Sequence, residues 1–135
     1  MDSVCAEEAS VASKWWASRL RKHDLSVTEV NTFEQALRRG IINRCEVRWY
    51  PNEPLRGSGL RSIINDLTVD PLLVEAAAAA RIRDVRFRLP QAVVWVNPSS
   101  VKVKLEEERF TQVLFGGLIS SKADVAETAA SDEDL

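Results

Sequence analysis

Apolar residues recur at spacings of three and four in the first third of the chain, then alternate or run together in the last third. Helices are therefore expected before strands. Ala9, Ala12, Trp16 and Leu20 mark a first helix over about residues 6–22. Its Lys14, Arg19, Arg21 and Lys22 gather towards the end, where they oppose the negative pole of the helix dipole. Trp15 and Trp16 point about 100° apart on a helix and cannot both face a core squarely, so one is a candidate for an exposed apolar patch. After His23-Asp24-Leu25 the stretch Ser26-Val27-Thr28-Glu29 fits a capping box, in which hydroxyl and carboxylate satisfy free N–H groups reciprocally. Val30, Phe33, Leu37 and Ile41 extend this second helix as one stripe, with Gly40 placed to weaken or end it. Two amphipathic helices on a short link predict an antiparallel pair.

The period changes after Cys45. Val47-Arg48-Trp49-Tyr50 reads as a short strand, and the two prolines of Pro51-Asn52-Glu53-Pro54 exclude a helix interior or a central strand. Gly57-Ser58-Gly59 continues the irregular segment, and Leu60–Ile64 reads as a strand. Asp70-Pro71 supplies an N-cap followed by a proline at the first helical position. Five alanines, Ala76 to Ala80, favour helix but bury little, so a close neighbour is expected there. Residues 81–88 fit one more short helical turn, stopped before Pro90. Residues 92–96 form a continuous apolar run, 97–100 carry turn chemistry, 101–105 alternate, and 110–115 return as a last strand. The expected fold is α+β: an antiparallel helical pair and further short helices on a small, mainly antiparallel sheet.

Composition narrows the function classes. At 135 residues, 45% apolar and 28% charged, the chain is one domain with a real core. The formal charge of −2 is uneven: residues 1–121 hold 17 basic and 15 acidic side chains, residues 122–135 one lysine and five acids. The pI near 5.5 thus describes mainly the end of the chain, and residues 1–118 read as the domain, with 119–135 as a disordered acidic tail. No basic and apolar leader opens the sequence and no apolar run suits a membrane span, so reduced cysteines and a cytoplasmic and nuclear location are expected. Two cysteines and one histidine do not make a usual zinc set, and neither a metal nor a cofactor is expected. His23 stands alone without a nucleophile, which argues against an enzyme.

Several residues carry two readings. Trp95, at the end of an apolar run, is a core residue or an interface anchor. Trp49 suits packing the proline-rich loop onto the sheet, and Asp70 is first a cap, with one oxygen left for a further contact. Gly57 and Gly59 suit a tight bend, since the Gly-Lys-Ser/Thr ending of a phosphate loop is missing. Arg81, Arg83, Arg86 and Arg88 are a solvated face or an RNA contact. The latter requires a second patch such as Arg44, Arg48, Arg56 and Arg61, together with stacking aromatics.

The run Trp49-Tyr50-Pro51-Asn52-Glu53-Pro54-Leu55-Arg56-Gly57-Ser58-Gly59-Leu60-Arg61 resembles the first signature box of the BTG/Tob family. Leu89-Pro90 with Trp95-Val96-Asn97-Pro98 resembles the second, and Asp70-Pro71-Leu72 between them resembles the family's helix start. The resemblance spans about residues 6–115 and implies a non-enzymatic adaptor. It would bind the catalytic deadenylase of the CNOT complex, promoting mRNA deadenylation, translational repression and antiproliferative control. Poly(A)-binding protein or transcription factors are further partners that it implies. It assigns partner contacts to the positions of Leu60, Asp70, Trp95 and Asn97, although Leu60 stands where the family usually has an aromatic and Asn97 where it has Asp. The reversal Glu106-Glu107-Glu108-Arg109 lacks the family's glycine. The alternative is a diverged interaction or RNA-associated module without the deadenylase contact.

Overall fold

Ser26 caps the second helix as its sequence predicts. The Glu29 N–H donates to the Ser26 hydroxyl at 3.0 Å, and the Ser26 N–H donates to the Glu29 carboxylate at 2.7 Å. The structure, a computed structural model, describes residues 4–116, so the expected acidic tail at 119–135 lies outside the described residues. The helical pair is α1 (Ala6–Arg19) and α2 (Val27–Glu46). They run antiparallel: Cys5 at the start of α1 hydrogen-bonds Cys45 at the end of α2. A helical turn α3 (Ser58–Arg61), the strand β1 (Ile63–Asn65) and the helices α4 (Pro71–Ala79) and α5 (Val85–Arg88) follow. The meander β2 (Ala92–Asn97), β3 (Ser100–Leu105) and β4 (Gln112–Gly116) completes the chain.

The four strands form one sheet in the order β1-β2-β3-β4, with every neighbouring pair antiparallel. Ile63, Val94, Val96, Val101 and Val103 point into a core shared with Trp16, Phe33, Leu37 and Ile41. The alternate positions Ile64, Val93, Trp95, Lys102 and Lys104 occupy the opposite face. This is the α+β architecture that the hydrophobic pattern predicts.

Four local expectations are corrected. Gly40 does not end α2, because it faces α4: a Cβ at this position would come within 2.9 Å of Leu72 Cδ2. The glycine lets the two helices approach, and Leu73, Ala76 and Ala77 of α4 are buried. Val47–Tyr50 is a turn and not a strand. The Arg48 N–H closes on the Cys45 carbonyl at 3.0 Å, and the Arg48 carbonyl accepts from Arg61 rather than from a ladder partner. Leu60 and Arg61 belong to the helical turn α3, whose N-cap Gly57 has φ +74°. The last strand begins at Gln112, leaving Phe110 exposed.

Trp15 and Trp16 are both buried, with rings edge to face at 4.9 Å, so neither forms an exposed patch. Helix α1 packs against α2 on one side and the sheet on another, which covers both directions.

Candidate functional site

Arg61 ties the first sequence box to the second. Fully buried, it donates from Nε to the Val96 carbonyl at 2.9 Å and from Nη2 to Asn97 Oδ1 at 2.8 Å. Nη1 reaches the carbonyls of Arg48 and Arg56 at 2.8 and 2.6 Å, and Nη2 also reaches the Pro54 carbonyl at 3.0 Å. One guanidinium therefore holds the proline-rich loop, α3 and the end of β2 together. Trp49 lies 5.5 Å from that guanidinium and packs against the core, and Arg56 covers the Tyr50 ring at 4.3 Å. Pro51 sits in the exposed turn that Pro54 and Leu55 continue. Gly57 is required by its positive φ and by Arg61, whose Nη1 would lie 3.0 Å from an added Cβ. The Gly59 carbonyl accepts the Ser62 hydroxyl at 2.6 Å.

The four proposed contact residues divide sharply. Leu60, on α3, is 61% exposed. Trp95 is only 5% exposed, lying on the sheet face away from the helices, opposite Lys102 across the strand pair. Asn97 is fully buried, and its amide oxygen serves Arg61. That corrects the expectation of a direct partner contact, because the side chain has no surface to offer. Asp70 caps α4, accepting from the Leu72 N–H at 2.9 Å. Both its oxygens are also engaged by Arg44, which forks onto them at 2.7 and 2.8 Å and donates to the Ser62 carbonyl as well. Asp70 thus bolts α2 to α4 beside the exit from α3. Half-buried Ile64 and Val93 are directly paired on the outer face, where a cavity of about 190 Å³ is lined by these two with Asp66, Ala92, Lys104 and Glu106.

Pro98 is buried in the two-residue turn joining β2 and β3, and Ser99 follows at φ +62°. The buried Glu8 carboxylate accepts the Ser99 N–H at 2.8 Å, and Gly116 abuts the Ser99 carbonyl so closely that no Cβ fits.

A family model described as the BTG family matches residues 5–115. The chain belongs to the BTG family. This BTG domain is 37% identical over 89 residues to human Tob1, covering 64% of this chain and 26% of Tob1. It is 30% identical over 112 residues to human BTG1, covering 80% and 66%. The chain thus spans about a quarter of the length of its Tob relatives. The BTG/Tob domain of C. elegans FOG-3 shares its fold, with a TM-score of 0.73 at 22% identity over 89% of this chain and 95% of that one.

The basic stretch of this BTG domain is also split. Arg81, Arg83 and Arg86 are exposed, whereas Arg88 is a structural bolt. It grips both Asp24 oxygens at 2.8 and 2.9 Å and donates to the Arg21 and Arg83 carbonyls, which corrects its reading as an RNA contact. These hydrogen bonds hold the Asp24 carboxyl well below the usual carboxylate range. Local patterns in the sequence disclosed the Asp70 cap, but not Arg44, Glu8 or Asp24, whose partners are far along the chain. The Cys45 thiol is pushed far up by its hydrogen bond with Cys5 and by burial, while the same hydrogen bond lowers Cys5. Among the described residues no group of three or more His, Cys, Asp or Glu side chains is placed to hold a metal, and no helix is long and apolar enough to cross a membrane.

Proposed function

We propose that this BTG domain is a non-enzymatic, antiproliferative adaptor that docks the catalytic deadenylase of the CNOT complex onto mRNA-regulating assemblies. It promotes deadenylation and translational repression, working in cytoplasm and nucleus, with poly(A)-binding protein and transcription factors as further partners. Family membership supports the regulatory role. The observation that carries the docking face is Leu60: a large apolar side chain, 61% exposed, on a turn fixed from inside by Arg61. Such a side chain presents apolar area to a partner with little ordering cost, because its backbone is already held. Asn97 supports this surface indirectly, through the hydrogen bond that its amide oxygen accepts from Arg61, while Trp95 belongs to the outer sheet face.

Titration of the purified deadenylase against wild type and Leu60→Asp tests the reading. The exposed position leaves folding intact, and loss of a central anchor weakens binding about thirtyfold or more. Absence of wild-type binding, or equal binding by Leu60→Asp, overturns it.

A further inference from the structure

The end of the molecule around Arg88 gathers basic side chains from two segments some 60 residues apart. The Arg21 N–H donates to the Arg88 carbonyl at 2.8 Å, and Arg88 Nη1 returns a hydrogen bond to the Arg21 carbonyl at 2.9 Å. Arg88 Nε reaches the Arg83 carbonyl at 2.8 Å. This clamp brings residues 19–24 beside residues 81–88, which together hold seven basic side chains against two acids, Asp24 and Asp84. One pair, Arg88 with Asp24, is internally neutralised. Arg21, Lys22, Arg81, Arg83 and Arg86 remain exposed. Arg81 and Asp84 both adopt φ +59°, and buried Ile82 between them anchors the bend that carries the exposed Arg81 and Arg83.

An exposed aromatic ring stands beside one of these cations. Phe87 is 69% exposed, and the Arg86 guanidinium lies 5.5 Å from its centroid. An exposed phenyl ring beside a guanidinium offers a base a stacking platform while other cations of the same segments take the phosphates. An acidic peptide would use the charges but leave the ring idle, and an anionic membrane would need more than one apolar side chain to insert. We infer that this surface, formed by Arg21, Arg81, Arg83, Arg86 and Phe87, binds single-stranded RNA without strong sequence preference. It lies on different elements from Leu60 and does not depend on the deadenylase reading.

Fluorescence anisotropy of the full chain with a labelled 12-nucleotide oligouridylate, begun at about 50 mM salt, tests it. Four phosphate contacts give a slope of log affinity against log salt of about −3, and Arg83→Ala with Arg86→Ala flattens it by about 1.4. Phe87→Ala weakens binding about tenfold at constant salt, a readout that a purely electrostatic surface would not show. Thermal melting confirms that these exposed substitutions leave the fold intact. No binding at low salt, wild-type affinity in Phe87→Ala, or equal affinity for polyglutamate or anionic phospholipid vesicles each overturns the inference.

Discussion

A lysine at position 61 would bring three rotatable donors to a place where the guanidinium meets five acceptors: the carbonyls of Arg48, Pro54, Arg56 and Val96, and the amide oxygen of Asn97. Arg61→Lys therefore leaves buried carbonyls unmet and costs ~2 kcal/mol or more, read as a lower urea midpoint. An unchanged midpoint would mean that the loop is held by something else. At this scale the sequence disclosed what short-range geometry dictates. Asp70 was legible as a cap because its acceptor role is fulfilled two residues away, at the Leu72 N–H. Its second role was hidden, since Arg44 lies 26 positions upstream on another helix. The contact role at Asn97 came from the family resemblance alone, and its burial against Arg61 was hidden because that arginine lies 36 positions upstream.

Elements were legible where period and caps agree. The capping box and the stripe from Val30 to Ile41 specified α2 from its own residues. Val47–Tyr50 has strand-like side chains, but β propensity is expressed only where a ladder partner exists, and this segment meets the Arg61 side chain instead. Gly40 was ambiguous because its use depends on α4, thirty residues later in the chain. A double-mutant cycle separates its two effects. In a Leu72→Ala background, Gly40→Ala should stabilise by about 1 kcal/mol through helix propensity, because the clashing Cδ2 is gone. With Leu72 present, the same change must push that side chain aside, and most of the gain disappears. Equal gains in both backgrounds would show that the close approach is not what Gly40 provides.

Across the whole molecule, long-range polar clamps join segments that the hydrophobic pattern only sorted into layers. Asp24 and Arg88 tie the link after α1 to α5 across 64 positions, and the clamp responds to pH with a definite sign. Because the folded state depresses the Asp24 pKa, its contribution is complete above the ordinary carboxylate range and declines as pH falls towards the depressed value. Wild type should therefore be more stable than Asp24→Asn at pH 7, with the gap closing once the pH is taken below about 4. Thermal unfolding at several pH values measures it, and a gap that widens in acid would contradict the assignment.

Glu8 near the start of α1 and Gly116 at the end of β4 meet on the same residue, Ser99. Entrance and exit of the domain are neighbours, and α1 carries the chain about 20 Å away from them to the cationic end. The described chain, Val4 to Gly116, therefore starts and finishes at one pole, with the cationic surface at the other.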